Sequence, residues 1–325
     1  MYSEHFQPKE PYGDYYYDLS LPSARAWQAN VAKHYGIYGF CYYHYWFSGK
    51  RLLEKPFNEV LKLGEPDLPF CLSWANEPWT RRWDGGDHHV LMPQNYGNET
   101  EWEQHFNDLL PAFLDPRYIR VEDKPLFIIY RPGIIPRCEE MLSFWNRLAR
   151  QNGLAGVYTV RTLGGFPIPR QEGFDASLEF EPHYTFANHF ADKFWTYIEM
   201  EKQKHLVIDY DQVWLSILNR SHRRAGEKIY PGAFVNWDNT PRIGPRGQSC
   251  LGASPGKFAH YLTRQLERAN RLFDSEFVFI NAWNEWAEGA YLEPDKQYGY
   301  QYLDAVKQAL KASGSKRVTV SGSPG

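Results

Sequence analysis

Residues 69–77 read PFCLSWANE, a short apolar stretch that ends in two polar side chains. Positions 69–74 have the length and the aromatic and apolar content of a buried strand, and Asn76 and Glu77 follow at its carboxyl end. Stretches of the same kind are found at positions 37–43, 125–130, 156–160, 176–180, 230–235 and 277–282. The chain therefore contains seven candidate strands.

Stretches with the helical spacing of apolar residues separate these strands. Apolar side chains recur at i, i+3 and i+4 over positions 23–35, 100–114, 139–152, 211–224 and 257–272. Regular alternation of strands and helices predicts right-handed βαβ units and a parallel sheet. The predicted fold class is α/β, a (β/α)8 barrel of the TIM type, with one strand fewer than a closed barrel has.

Composition and charge exclude several classes of protein. The 325 residues include 36 Lys and Arg against 39 Asp and Glu, a net charge of −3, and neither sign forms a long block. This balance argues against nucleic acid or an anionic membrane surface as the main partner. No apolar run approaches the roughly 18 residues of a membrane-spanning helix, so no span is predicted.

The four cysteines and the first residues of the chain indicate a reducing compartment. Cys41, Cys71, Cys138 and Cys250 are far apart and form no C-x-x-C pair, which argues against a disulfide framework or a structural zinc site. The histidines lack the spacing of metal ligands, and no metal site is predicted. Because the first residues do not resemble a signal peptide, we expect a cytoplasmic protein.

Aromatic residues make up 17% of the chain, and 12 of them are tryptophans. Seven tryptophans end or closely follow a candidate strand, at positions 46, 74, 79, 83, 237, 283 and 286. Binding residues in parallel α/β folds lie at the carboxyl ends of strands, and aromatic rings with polar edges suit the faces of sugar rings. The pattern predicts a carbohydrate-binding cleft, with a tryptophan-rich core as the alternative.

Glu285 and Glu288 are the candidate catalytic residues. They follow the last candidate strand, and on a helical turn residues three apart share one face. Two nearby carboxylates are the equipment of glycoside chemistry, in which one donates a proton and the other acts as base or nucleophile. A solvated acidic loop is the alternative interpretation, and Glu77 is a rival catalytic carboxylate.

The remaining candidate residues are predicted to bind substrate. They follow other candidate strands or flank the two glutamates, and they are Tyr43, His44, Trp46, Trp74, Asn76, Glu77, Trp79, Arg81, Trp83, Tyr130, Arg131, Trp237, Asp238, Trp283, Asn284 and Trp286. For each arginine, a structural ion pair is an equally good interpretation.

Several segments also resemble a known family. They read GIYGFCYY (36–43), WANE (74–77), WTRRWDG (79–85), KPL (124–126), WDNTPR (237–242) and NAWNEWAEG (281–289). Together they resemble the WbsX-like proteins of bacterial surface-polysaccharide clusters, which are relatives of glycoside hydrolase family 99. The resemblance extends from about Pro11 to Lys311 and implies a barrel without metal or organic cofactor.

The resemblance also implies roles for the two glutamates. The hydrolase family carries a Glu-Trp-x-Glu motif, which matches Glu285 and Glu288. In that family the first Glu is a base on the sugar 2-hydroxyl, which gives a 1,2-anhydro intermediate and net retention, and the second is the acid/base. Ala287 replaces the histidine of the hydrolases. The strand with which the family normally begins is also missing, which explains the count of seven.

The sequence thus predicts a single barrel domain over residues 1–313 and a flexible tail over 314–325. The favoured function is a retaining glycoside hydrolase acting on an oligosaccharide or polysaccharide of the bacterial cell surface or capsule. A glycosyltransferase of surface-polysaccharide (O-antigen) biosynthesis and a non-catalytic glycan-binding barrel are the alternatives. A transferase is expected to carry a D-x-D pair, and Asp209-Tyr210-Asp211 has this form but precedes a helix.

Overall fold

The computed structural model describes residues 5–80, 90–167, 172–189, 195–200, 203–221 and 226–314. The helices are α1 (Pro22–His34), α2 (Lys55–Leu63), α3 (Glu99–Leu114), α4 (Cys138–Gln151), α5 (His183–Asn188), α6 (Tyr210–Asn219), α7 (Thr240–Ile243), α8 (Pro255–Arg268) and α9 (Gln301–Ala312). The strands are β1 (Phe40–Phe47), β2 (Lys50–Leu52), β3 (Phe70–Trp74), β4 (Trp79–Thr80), β5 (Val90–Met92), β6 (Arg120–Val121), β7 (Lys124–Ile129), β8 (Tyr158–Leu163), β9 (Ala176–Glu179), β10 (Trp195–Met200), β11 (Gln203–Asp209), β12 (Lys228–Tyr230), β13 (Gly232–Phe234), β14 (Gln248–Leu251), β15 (Phe279–Asn281), β16 (Asn284–Glu285) and β17 (Ala290–Tyr291).

A central array of parallel strands runs in chain order through the molecule. Strand β1 pairs with β3, β3 with β7, β7 with β8, β8 with β9 and β9 with β12, each in parallel. After Pro231 the chain continues as β13, which pairs in parallel with β15. The predicted α/β class with a central parallel sheet is confirmed, and each candidate strand overlaps a strand of this array.

Helices cover the outer face of the array, and their apolar stripes form the core with the strands. Helix α4 buries Met141, Leu142 and Trp145 against the sheet. Helix α3 begins at a capping box, in which the Asn98 side chain accepts from Thr100 and Glu101 accepts from the Asn98 amide. These helices lie within one or two residues of the predicted 100–114 and 139–152, because cap and periodicity signals agree there.

The array is open between its first and last strands. Among the described residues, no strand pairing joins β15 to β1, so the predicted closed barrel is not confirmed. Ring contacts connect residues in or beside these two strands, from Phe40 to Trp283 at 5.0 Å and from Tyr38 to Phe277 at 5.7 Å between centroids. Strand β1 consequently leaves Cys41 and Tyr43 exposed, whereas every residue of β8 and β9 is buried.

The remaining elements are additions that the sequence did not predict. Strands β10, β11 and β14 form a separate small sheet, and β16 and β17 form a hairpin around the Glu285–Glu288 turn. Helix α6 ends at Asn219, short of the predicted 224, and positions 222–225 lie outside the described residues. Most of the predicted tail, residues 315–325, also lies outside them. In the described part of the chain, no helix is long and apolar enough to cross a membrane.

Candidate active site

The Glu285–Glu288 turn lies just past β15, where the sequence analysis expects the catalytic carboxylates. Strand β16 ends in Glu285, a single 3-10 turn covers Trp286–Glu288, and β17 returns antiparallel to β16. Gly289 closes the turn with φ of 63°, and a Cβ at this position would meet the backbone of Asp238 at 3.1 Å. Glycine is therefore required for the turn to close against the neighbouring loop.

Arg242 joins the two glutamates. Its Nη1 donates to Oε1 of Glu288 over 2.8 Å, and its Nη2 donates to Oε1 of Glu285 over 3.1 Å. Because both oxygens contact one guanidinium, they are at most roughly 8 Å apart, which is within the range of carboxylate separations in glycosidases. Arg242 was not among the predicted site residues, although it belongs to the WDNTPR segment at 237–242.

The electrostatic environment distinguishes Glu288. Burial raises the pKa of Glu288 to about 7, the charge of Glu285 adds to this rise, and Arg242 opposes it. Only 22% of the Glu288 side chain is exposed, against 33% for Glu285. A carboxyl group with this pKa exists in both protonation states near neutral pH, which suits a general acid/base.

Tyr45 of β1 and Tyr130, which follows β7, lie within electrostatic range of the same carboxylates. Burial raises the pKa of Tyr45, and the charges of Glu285 and Glu288 raise it further. Burial also raises the pKa of Tyr130, with additional contributions from Glu77 and Glu288. Both tyrosines therefore lie within electrostatic reach of the turn.

Asp238 organises the loop beneath the turn. Its Oδ2 accepts from His5 Nε2 at 2.9 Å and from Gln7 Nε2 at 2.7 Å, and its Oδ1 accepts from the amide and hydroxyl of Thr240. The residue is only 4% exposed. Asp238 therefore holds the N-terminal segment and the loop before α7 together. Its carboxylate is already occupied by protein donors.

Glu77 lies at the carboxyl end of β3 in a polar cluster of its own. Arg131 pairs with it over 2.5 Å, and 40% of the Glu77 side chain is exposed. Asn76 is fully buried and exchanges two hydrogen bonds with the backbone of Arg131, while its own carbonyl accepts from Tyr96. Asn76 thus fastens β3 to β7, and the Glu77–Arg131 pair borders the Tyr130 side of the site.

Further aromatic rings lie beside Tyr45 and Tyr130, and together these rings form the lining of the site. Trp79 is partly exposed, and its ring lies 5.4 Å from Tyr45 and 5.7 Å from Phe47. On the other side, Phe180 lies 5.7 Å from Tyr130. Trp79 is therefore a predicted substrate-binding tryptophan that is partly exposed and lies next to Tyr45.

The lining ends in a buried histidine and tryptophan. The His183 ring stacks on Phe180 at 5.5 Å and meets Trp237 edge-on at 4.4 Å. Burial lowers the pKa of His183 to about 4, so this imidazole is neutral at physiological pH. Trp237 is 2% exposed and belongs to a hydrophobic cluster with residues of α6, α8 and α9, so it supports the lining rather than forming its surface.

The structure corrects the expected position of His44, Trp46 and Trp74. These side chains are at most 6% exposed and lie between the sheet and helices α3 and α4. Trp74 meets Trp145 of α4 at 6.2 Å, and His44 Nε2 shares a hydrogen bond of 2.9 Å with His105 Nε2 of α3. The reason is strand alternation, because Tyr43 and Tyr45 point to one face of β1 and His44 and Trp46 to the other. These three residues therefore belong to an aromatic core, which was the alternative to a carbohydrate-binding cleft.

The residues that flank the glutamates fasten the turn to the N-terminal segment. Trp286 Nε1 donates to Oε2 of Glu293 over 2.7 Å, and Tyr17 donates to the same oxygen over 2.8 Å. Asn284 is exposed and donates to the Tyr17 hydroxyl, whereas Trp283 packs on Phe40 of β1. Arg81 and Trp83 lie outside the described residues.

A parallel α/β array with paired glutamates after its last strand is the arrangement of carbohydrate-active barrel proteins. Over residues 1–306 the chain matches the family model described as Glycosyltransferase WbsX. The chain therefore belongs to the WbsX family. It is 37% identical over 323 residues to the protein WxcX of Xanthomonas campestris pv. campestris, in strain ATCC 33913 and in strain B100. The alignment covers 95% of this chain and 44% of WxcX, so the chain spans less than half the length of these curated relatives.

Solved structures share the fold at low sequence identity. A glycoside hydrolase-like protein superposes with a TM-score of 0.61 at 14% identity, covering 93% of this chain and 89% of that one. The GH99 endo-α-mannosidase of Bacteroides thetaiotaomicron superposes with a TM-score of 0.52 at 14% identity, covering 93% of this chain and 85% of that one. A second structure of that enzyme gives 0.50 at 15% identity, covering 93% and 81%. The chain therefore shares its fold with GH99 structures.

Proposed function

We propose that this chain is a retaining glycoside hydrolase that acts on a bacterial cell-surface or capsular glycan. The observation that carries the proposal is the Arg242 bridge between Glu285 and Glu288, on an aromatic-lined face and with the pKa of Glu288 raised to about 7. The shared guanidinium keeps the two carboxylates close. Burial raises the pKa of Glu288, which suits Glu288 to the role of acid and leaves Glu285 as the base.

Glu288 is the proposed proton donor in the first step. Its carboxyl proton passes to the glycosidic oxygen, and the bond from that oxygen to C1 breaks as the leaving group departs. Glu285 removes the proton of the sugar 2-hydroxyl, and O2 forms a bond to C1, which gives a 1,2-anhydro sugar. The reaction needs no external oxidant or cofactor.

The second step reverses these proton transfers. Ionised Glu288 takes a proton from water, and the hydroxide oxygen attacks C1. The C1–O2 bond breaks, and the proton held by Glu285 returns to O2. Two inversions at C1 give net retention of the anomeric configuration, and both glutamates regain their starting states.

The alternative of a glycosyltransferase comes from the description of the family model. A transferase that uses sugar nucleotides is expected to hold the diphosphate near a metal pair or an open helix N-terminus. The candidate pair is already engaged, since Asp209 caps α6 through the Gln212 amide at 2.9 Å and Asp211 bonds Lys257 at 2.7 Å. Among the described residues, no group of three His, Cys, Asp or Glu has a metal-binding arrangement. The protein contacts of Asp209 and Asp211 favour the hydrolase over the transferase.

One screen separates the candidate functions. The chain is incubated with aryl α- and β-glycosides, including α-mannosides because the structural neighbours are endo-α-mannosidases, and with nucleotide sugars plus Mn²⁺. We expect release of the aryl alcohol, with NMR of the first product showing the anomer of the substrate. Turnover of a nucleotide sugar alone would favour the transferase. Saturable glycan binding without turnover by the chain or by a longer family member would favour a binding protein.

A further inference from the structure

A cavity lined by aromatic rings lies beside Trp286, the residue that follows Glu285. It measures about 90 Å³ and lies between the N-terminal segment, α1 and the start of α9. The rings that line it are Tyr12, Tyr15, Tyr17, Trp27, Trp286 and Tyr300. We call this set the aromatic cage. Its volume has room for several water molecules and therefore for a small ligand group.

The rings of the cage contact one another, and the cage is open toward solvent. Tyr15 lies 4.9 Å from Trp27, and Tyr12 meets Tyr300 edge-on at 5.6 Å. Tyr12 is 52% exposed and Tyr15 is 39% exposed, so the mouth of the cage is accessible. Trp286 stacks one face on Tyr291 at 3.9 Å, so this face is unavailable to a ligand.

Glu293 contributes a carboxylate to the cage without a cation as partner. It is 3% exposed and accepts from three neutral donors, Trp286, Tyr17 and Gln28, at 2.7 to 2.8 Å. Within the described ranges, no Lys, Arg or His forms an ion pair with it. The nearby Lys296 instead pairs with Glu10 and Asp14. Because these donors are all uncharged, the negative charge of the carboxylate has no opposite charge beside it.

We propose that the aromatic cage binds an alkylammonium group. Ring faces attract cations through their quadrupoles, and this combination of several rings with an acidic group is how proteins recognise substituted ammonium ions. Burying an uncompensated carboxylate is costly, and a cationic ligand offsets that cost whereas a neutral one does not. The group could come from an amino sugar of a glycan or from a free ammonium compound. The proposal does not rest on the proposed function, because binding is measured without turnover.

Paired probes test the charge requirement directly. Choline is compared with its neutral isostere 3,3-dimethylbutan-1-ol, and glucosamine with glucose, by calorimetry or by NMR titration of the full chain. We expect the charged member of at least one pair to bind roughly tenfold or more tightly than the neutral member. Tighter binding of glucosamine identifies an amino sugar as the source, and tighter binding of choline identifies a free ammonium compound. Equal binding within both pairs, or no saturable binding of any probe, overturns the proposal.

Substitutions test the location. Tyr15→Ala and Trp27→Ala are expected to weaken binding of the charged probe several-fold, and Glu293→Gln to remove the preference for charge. Tyr16→Ala is the matched control, because Tyr16 is 71% exposed beside Tyr15 but does not line the cage. Thermal melting of each variant verifies that it is folded. If Tyr16→Ala weakens binding as much as Tyr15→Ala in folded proteins, the cage is not the site.

Discussion

The backbone amide of Asp238 donates to the carbonyl oxygen of Glu288 over 2.7 Å. This bond ties the loop after β13 to the turn after β15. Arg242 lies in α7, four residues after Asp238. Its guanidinium donates hydrogen bonds to both glutamates. The position of the proposed acid therefore depends on Asp238, a residue that does not itself face the site.

Asp238→Asn is expected to destabilise the protein. The new Nδ2 would face donors of His5 and Gln7 or of Thr240, and leaving a buried donor unsatisfied costs about 1–3 kcal/mol. Urea unfolding measures the loss. Asp67→Asn is the control, because Asp67 is 91% exposed in its ion pair with Lys33 and is expected to contribute little. Equal losses for the two variants would contradict the buried role of Asp238.

Glu285→Gln and Glu288→Gln should each lower kcat by several orders of magnitude and leave glycan affinity nearly unchanged. Each carboxylate acts mainly in the transition state, so its loss is felt in kcat rather than in binding. Steady-state kinetics and calorimetry on a cleaved glycoside separate the two effects. Glu77→Gln is the comparison, and if it alone abolishes activity, the catalytic assignment moves to the end of β3.

Arg242→Gln is expected to raise the pKa of Glu288 above about 7, because Arg242 is the cation that lowers it. Since the proposed acid must be protonated, the alkaline limb of kcat/KM should shift upward by roughly one pH unit. Arg242→Lys keeps the charge and should shift the limb less. Arg246→Gln, an exposed arginine of the same loop, serves as a further control. Identical shifts for Gln and Lys at position 242 would show that charge is not the cause.

Glu288→Gln should also change how stability depends on pH. The folded protein raises the pKa of Glu288 from 4.5 to about 7, so it binds this proton more tightly than the unfolded chain does. The wild type therefore loses stability as pH rises from about 4.5 to 7, and the Gln variant lacks this loss. Relative to wild type, the variant should gain up to about 2 kcal/mol between pH 5 and pH 8 in urea unfolding. Glu103→Gln, on the exposed face of α3, should show no such gain.

Trp74 and Trp79 were both predicted to bind substrate, but their substitution by alanine should have different effects. Trp74→Ala is expected to lower the free energy of unfolding by about 3–5 kcal/mol, since Trp74 is 2% exposed in the core. Trp79→Ala should affect stability much less and weaken glycan binding by about 1–3 kcal/mol, because its ring is partly open beside Tyr45. Chemical denaturation and quenching of tryptophan fluorescence distinguish the two. If Trp79→Ala leaves binding intact, the glycan does not stack there.

Much of the fold could be predicted because its signals are local. The run at positions 176–180 and strand β9 share their first residue, and α3 begins one residue before the predicted 100 because the Asn98 cap precedes it. The position of Glu285 and Glu288 after the last strand was predicted for the same reason. The hairpin of β16 and β17 was not, since its pairing depends on residues after Gly289 that carry no strand pattern.

The orientation of single side chains could not be predicted from their position along the chain. His44 and Trp46 follow a candidate strand in the sequence, yet the strand extends to Phe47 and carries both to the helix side. Tyr45, which was not among the predicted site residues, lies on the other face of the same strand and within electrostatic range of the carboxylates. Because the predicted strand ends four residues before β1 does, residues of the strand were taken for loop residues. Strand periodicity decides on which face of the sheet each of them lies.

The sequence by itself determined the alternation of strands and helices, the parallel class of the sheet and the glutamate pair at its end, because periodicity and motif spacing are properties of neighbouring residues. Only the tertiary structure decided that Arg242 bridges those glutamates, that Asp238 supports the turn, and that Glu293 lies buried among rings from four separate segments. These contacts join residues tens to hundreds of positions apart. Their formation depends on burial and packing that no local pattern records.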